Sequence, residues 1–476
     1  MKTGLETRFE RYTETMIQAL GHADRALPAR WYLRGLMLPG SRKSVEPMAA
    51  RVHPQNARSA HQSMHHLVAD SDWSDSALLA AVTREVAPVL TAAGEEPCYW
   101  IIDDTGHRKY GRHSVRVARQ YCGQLGKVDN CQVAVSLSLA TAEGSLPLSY
   151  RLYLPEVWAK NKARRKGAGV PQNIAFATKG EMARTQIEAA LAAGIPRGPV
   201  LIDAGYGDET ALRDWLSAQE LVYAVGIRPA TSVWYEAHQP APAPVKPVLI
   251  PSTSSGQALS KRPGRGRPRT RLVRDETHTP ISVKALAQAL PRSSYRTLTW
   301  REGTQTPLRS RFARVRVRAA HANRPRPEEW LLIEWPKGQA EPTRYFLSTL
   351  PADISFKALV ATVKMRWRIE RDYRELKQEV GLSHYEGRNW RGFHHHASLC
   401  IAAYGFLMLE RLAGVKKNTA RLKTPALPEG FHPRGAVTDA AARPMVYRNR
   451  ALSTGARHRS TPSTMSVLRE ALYTDF

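Results

Sequence analysis

The chain has 476 residues, with 70 Lys and Arg against 42 Asp and Glu, a formal net charge of +28. Hydrophobic residues at 42% and charged residues at 24% exclude wholesale disorder, and the length allows two or more domains with full cores. The positive excess points to a polyanionic partner, and nucleic acid is favoured over a membrane because no apolar run approaches the roughly 18–20 residues of a spanning helix. The opening MKTGLETRFERYTE lacks the apolar stretch of a signal peptide. Cys98, Cys122, Cys131 and Cys400 have no CxxC spacing, so neither a disulfide scaffold nor a cysteine-held zinc is expected, and a reducing cytoplasm fits.

Residues 1–95 read as helical. Leu5, Phe9, Tyr12, Met16 and Leu20 recur at helical spacing, and Ser74-Asp75 caps a second run from Ala77 to Leu90. The basic and aromatic residues between these runs suit a DNA-reading module, with a helical bundle that merely packs on the rest as the alternative. From Cys98 the texture turns to strands: Tyr99–Asp103, Gln132–Ala140 and Leu146–Leu154, the last two a hairpin turning at Glu143-Gly144. A helix from Glu181 to Ala193, strand Pro199–Asp203, a helix from Glu209 to Leu216 and strand Leu221–Ile227 follow. The order β-β-β-α-β-α-β predicts a mixed sheet flanked by helices, an α/β core over residues 96–228.

Residues 236–270 are rich in Pro, Ala, Ser and Gly and read as a linker inside a β-rich insertion spanning 229–350. Lys261–Arg274 holds seven cations in fourteen residues and no acid. Its Arg265-Gly266-Arg267-Pro268 resembles an AT-hook, with a flexible phosphate-binding loop as the equal alternative. In the strand ARVRVRA, Arg314, Arg316 and Arg318 share one face, suited to run along a duplex. Trp300 either stacks on an unpaired base or packs in the core. Helical periodicity returns over 356–380 and 397–412, closing the core at 351–412, and a basic tail occupies 413–476. His394-His395-His396 reads as the polar start of a helix rather than a metal site.

Two strands that end in acids are the sharpest feature: Ile101-Ile102-Asp103-Asp104-Thr105 and Leu201-Ile202-Asp203-Ala204-Gly205-Tyr206. Acids at the carboxyl ends of buried strands sit where α/β folds place their sites, although a single such Asp more commonly caps a helix or turn. On the helix around residue 370, Met365, Ile369, Tyr373, Leu376 and Val380 form a core-facing stripe. Arg366, Glu370 and Lys377 lie together on its shoulder.

At these residues the chain resembles the DDE transposases of bacterial cut-and-paste insertion sequences. The matches are Asp103 in an Asp-x-Thr setting, Asp203 in IDAGYGD, and Arg366, Glu370 and Lys377 at the spacing of that family's Tyr/Arg/Glu/Lys signature. Val363 stands where the signature has Tyr, and Tyr373 is the substitute on the same helix. The resemblance covers roughly residues 20–412 and implies a ribonuclease-H-like core interrupted by the insertion before the Glu helix. It implies Asp103, Asp203 and Glu370 as catalytic metal ligands for two Mg²⁺ ions, replaceable by Mn²⁺, with Asp104 as the alternative to Asp103. Asp103 would bridge both ions, with Asp203 and Glu370 each on one. It further implies cleavage at transposon ends by water, strand transfer of the freed 3′-OH into target DNA, at least a homodimer, and a bacterial, nucleoid-associated location. Expected DNA contacts are Arg366, Lys377, Tyr373, Lys109, Lys127, Arg265, Arg267 and Trp300. A non-transposing nuclease on the same core, and a non-catalytic DNA-binding regulator, are the alternatives.

Overall fold

The computed structural model describes residues 4–92, 98–123, 125–235, 279–301, 307–323 and 326–422, without the side chains of 415–422. The linker expected at 236–270, with Arg265 and Arg267, lies outside the described residues, as does the chain from 423 onward.

Five helices come first: α1 (Gly4–Leu20), α2 (Ala26–Met37), α3 (Val45–Val52), α4 (Ala57–Ala69) and α5 (Asp75–Thr91). The predicted α1 stripe is inside, with Phe9, Tyr12, Met16 and Leu20 all buried. Ser74 caps α5 by accepting a hydrogen bond from the Ala77 amide at 3.1 Å. The cations of α2 do not line an open surface. Arg30 pairs with Glu10 and Glu14, and Arg34 with Glu6, which ties α2 to α1.

Next come β1 (Tyr99–Arg108), β2 (Ala118–Cys122), β3 (Lys127–Ala140) and β4 (Ser145–Leu152). They are followed by α6 (Glu156–Ala159), α7 (Lys162–Gly167), α8 (Lys179–Ala192), β5 (Val200–Ile202), α9 (Ala204–Gly207), α10 (Thr210–Ala218) and β6 (Tyr223–Ile227). Strands β4-β3-β1-β5-β6 lie side by side, with β3 antiparallel to β1 and β4, and β5 parallel to both β1 and β6. Helices flank this mixed sheet, the ribonuclease-H-like α/β arrangement expected from the sequence. Helix α8 starts at a complete capping box, Thr178 with Glu181.

Residues 229–348 contribute β7 (Ser232–Trp234), β8 (Ile281–Ser282), α11 (Val283–Ala289), β9 (Arg296–Arg301), β10 (Leu308–Ala319), β11 (Glu329–Trp335) and β12 (Arg344–Ser348). These strands continue the same sheet, because β12 pairs antiparallel with β6, Tyr345 opposite Ile227. The arginines of ARVRVRA are engaged internally: Arg314 donates to the Ile354 carbonyl and lies 4.5 Å from the Trp330 ring centre, and Arg316 pairs with Glu328.

The helix expected over 356–380 is broken into α12 (Phe356–Lys364) and α13 (Trp367–Gln378), with Met365 and Arg366 forming the turn between them. The last helix is α14 (Trp390–Leu422). It corrects the reading that no apolar run is long enough to span a membrane, since Trp390–Gly414 passes by length and composition. Yet 78% of its most apolar window is buried inside the molecule. The helix is buried on every side over residues 392–408, with α2, α4, α5 and β4 packed against it. Tyr12 donates to the Ala402 carbonyl at 2.8 Å, fastening the N-terminal helices to this central rod.

Candidate active site

Strand register brings the two aspartates together. In the parallel β1–β5 pair Trp100, Ile101 and Ile102 stand opposite Val200, Leu201 and Ile202, so Asp103 and Asp203 each follow the last paired position. Neighbouring strands are about 4.8 Å apart. The expectation that an acid closes each strand holds for β5 alone. β1 runs on to Arg108, paired with β3 throughout. That continuation separates Asp103 from Asp104 by strand alternation. Asp104 is paired with Lys179 at the start of α8, whereas Asp103 is joined to Arg366 beside α13.

Asp203 is fixed by its own turn. Its side chain accepts the Gly205 amide at 2.9 Å and its carbonyl accepts the Gly207 amide at 2.7 Å, making it the N-cap of α9. The turn lies directly on β6, where a Cβ at Gly207 would stand 2.2 Å from the Gly226 carbonyl oxygen, and one at Gly226 2.8 Å from the Ala204 nitrogen. The glycines of IDAGYGD and YAVGI are therefore needed for close approach of two backbones.

Glu370 arrives on α13. Ile369, Tyr373 and Leu376 are buried, as is Val380 just beyond the helix, so the predicted core stripe is in place. The helix is aimed by a polar anchor that sequence reasoning missed. Buried Asp372 accepts from the Ser145 amide and hydroxyl, both at 2.7 Å, and from Arg368 at 3.2 Å. Arg368 also donates to the carbonyls of Ala142 and Glu143 in the β3–β4 turn. An i,i+4 Arg–Asp pair on the apolar side of a helix was the available signal.

Arg366 spans the acids. One guanidinium nitrogen lies 3.2 Å from Asp103 and the other 3.2 Å from Glu370. Burial works against its charge, but Asp103, Asp203 and Glu370 more than offset this and raise its pKa. Burial pushes the Asp103 carboxyl up to about 7; Arg366 pulls it down, and Asp203 and Asp104 add to the rise. Glu370 itself is well exposed, with 63% of its side-chain surface open.

A hard divalent cation suits this donor chemistry, since two closely placed carboxylates in a buried setting repel one another and one arginine is their cationic partner. Among the described residues no three acidic, imidazole or thiol groups stand close enough to form a closed ligand set. Asp103 and Asp203, each following the last paired residue of the β1–β5 ladder, are the two acids that could hold such an ion. Glu370 is directed to Arg366 and solvent.

The other expected contacts divide. Lys377 is beside the site, donating to the Gly106 carbonyl at 3.2 Å; burial lowers its pKa, opposed by Cys122, Asp103 and Asp104. Lys127 is exposed at the start of β3. Lys109 is turned inward, donating to the Tyr385 carbonyl at 2.6 Å, and burial lowers its pKa. Tyr373 is buried beside Tyr150, so it does not take the surface position of the missing signature Tyr. Trp300 is partly buried with the Lys364 ammonium 4.3 Å from its ring centre, so that cation covers a face that a base would need. A second stacked pair that sequence reasoning missed, Arg301 at 3.6 Å over Trp367, lies at the start of α13.

The three histidines at 394–396 have separate partners. His395 stacks on Trp73, and His396 shares a 2.8 Å hydrogen bond with the Tyr32 hydroxyl. They sit where α14 meets the N-terminal helices.

A sheet with two register-matched aspartates and a glutamate helix laid beside them defines a class of phosphodiester-cutting enzymes, and the chain belongs to the DDE superfamily of endonucleases, whose family model matches residues 15–307. The matched segment contains Asp103 and Asp203 and ends before Glu370. The chain is also similar to a protein of Microchaete diplosiphon described as "Probable transposase for insertion sequence element IS701", 30% identical over 208 residues. Those residues are 43% of this chain and 50% of that protein, so the chain spans about half the length of the curated relative it matches.

Proposed function

We propose that the protein is a transposase that cleaves DNA at the ends of an insertion sequence and joins the freed 3′-OH to target DNA. The observation that carries this reading is the register of β1 on β5, which sets Asp103 beside Asp203 under the helix bearing Glu370. Asp103, Asp203 and Glu370 would hold divalent ions, Mg²⁺ in the first instance, which supply charge stabilisation at the attacking and leaving oxygens of an in-line displacement. In the first reaction the oxygen of water forms the new bond to phosphorus, and the displaced 3′ oxygen leaves with a proton as a hydroxyl. In the second, that hydroxyl attacks a target phosphodiester and a target 3′ oxygen leaves.

Arg366 and Lys377 are the cations placed to hold backbone phosphates beside the acids, Arg366 as a two-pronged donor and Lys377 as a point charge, while Lys127, nine residues along β3 from the Ser136 that stands opposite Asp103, would meet the DNA about 30 Å further on. Lys179 holds Asp104 on the other side of β1, which leaves Asp103 as the acid facing Glu370's helix. Two element ends processed together require at least two copies of the chain, so a dimer or larger assembly on DNA is part of the proposal.

Asp203→Asn and Glu370→Gln should each lower cleavage of a mini-transposon by about 10³-fold or more, the effect of losing several kcal/mol of charge stabilisation, while DNA affinity is retained. Cleavage that survives either change removes that acid from the site. Cleaved ends without insertion products would instead favour a nuclease that cuts without joining.

A further inference from the structure

Arg366 is placed unlike an ordinary phosphate-binding arginine. It sits in the turn between α12 and α13, and its two terminal nitrogens are each 3.2 Å from a different acid, Asp103 on the sheet and Glu370 on the helix. Its side chain is mostly covered, 27% exposed, and Asp103's is 16% exposed, whereas Glu370's is 63% exposed. The guanidinium thus closes the inner side of the acid cluster while drawing the outer acid toward itself. A carboxylate oxygen occupied by a guanidinium is not available to a hard cation in the same direction.

We propose that Arg366 is a gate for metal loading: it competes with divalent cations for Asp103 and Glu370, and a DNA phosphate relieves that competition by taking the guanidinium. This rests on the proposed assignment of Asp103, Asp203 and Glu370 as metal ligands and adds a coupling between DNA and metal. The exchange is balanced in charge, because one anion replaces another at Arg366 while the released carboxylates keep a cation. The spacing supports it, since a guanidinium that reaches two carboxylates also matches two oxygens of a phosphate. By linkage, whatever DNA adds to metal affinity, metal adds to DNA affinity. Arg366 is in this sense a positioning residue: it acts through the acids that it holds or releases.

The test is Mn²⁺ binding to the full chain, read from the electron paramagnetic resonance signal of the free ion, with no turnover involved. Arg366→Gln should bind Mn²⁺ about tenfold or more tightly than the unaltered protein when DNA is absent. Arg366→Lys, which keeps the charge but cannot bridge two acids, should fall between the two, and it serves alone if the Gln variant does not fold. A DNA duplex, with its own Mn²⁺ uptake subtracted, should tighten binding to the unaltered protein and leave Arg366→Gln unchanged. Asp103→Asn should lose the site in every condition. Equal or weaker Mn²⁺ binding by both Arg366 variants, with Asp103→Asn still losing it, overturns the gate but keeps the metal site. Unaltered Mn²⁺ binding by Asp103→Asn overturns the metal site and the gate with it.

Discussion

Asp103 and Asp104 are adjacent in sequence and chemically identical, yet they have different partners. Strand alternation sends one to Arg366 and the other to Lys179, and only the residues that follow, still paired with β3 as far as Arg108, make that alternation hold. The histidines of α14 give a residue-scale prediction. Burial lowers His394 to about 3 and His396 to about 4, from a value of 6.5 in the open chain. Both are therefore neutral in the fold, and the unfolded chain takes up protons first as the pH drops. The stability this confers is fully present above about pH 6.5 and is lost as pH falls through the folded values. The urea midpoint should fall between about pH 7 and pH 5, and the fall should be smaller when both are replaced by Gln. An unchanged fall in that variant would assign the acid sensitivity to other groups.

At the scale of elements, α13 is held by its polar anchor as much as by its apolar stripe. Asp372 and Arg368 are almost fully buried and together satisfy the exposed backbone of the β3–β4 turn. Asp372→Ala leaves Arg368 buried without its carboxylate and the Ser145 amide without an acceptor, so a loss of about 3–5 kcal/mol is expected in denaturant unfolding. Arg374→Ala, at an exposed position on the same helix, should cost within about 0.5 kcal/mol. If the two variants are equally stable, the anchor does not hold the helix. The break at Met365 and Arg366 leaves a trace in the apolar spacing: Leu359 and Val363 are four apart, as are Ile369 and Tyr373, but the six-residue step from Val363 to Ile369 misses the stripe by about 120° at 100° per residue. It is this break that frees Arg366 to face the sheet.

Over the whole molecule, charge and burial are distributed in opposite senses. Many cations that composition alone would give to DNA are spent on internal pairs, including Arg30, Arg34, Arg316 and Lys109. Arg265-Gly266-Arg267-Pro268, outside the described residues, is a proposed DNA contact. Replacing Arg265 and Arg267 with Ala should flatten the dependence of log affinity on log salt by about 0.9 for each phosphate contact removed. An unchanged slope would take that segment out of the interface. The sheet itself unites the chain, running from β2 through β6 and β12 to β10, so the strands of residues 229–348 are built onto the core and not appended to it.

Composition and periodicity by themselves determined that this is a basic α/β protein, because strand and helix repeats are local properties of the chain, and the choice of Asp103, Asp203 and Glu370 among its acids came from the family resemblance. They also placed the α13 stripe correctly, since a 3.6-residue repeat declares its buried face without knowing what covers it. Tertiary structure alone decided that α14 is a core rod, that Tyr373 and Lys109 turn inward, and that Arg366 bridges two acids. Each of those depends on a partner distant in sequence, such as Ala402 for Tyr12, Tyr385 for Lys109 or Asp103 for Arg366, and no local pattern encodes which distant surface a side chain will meet.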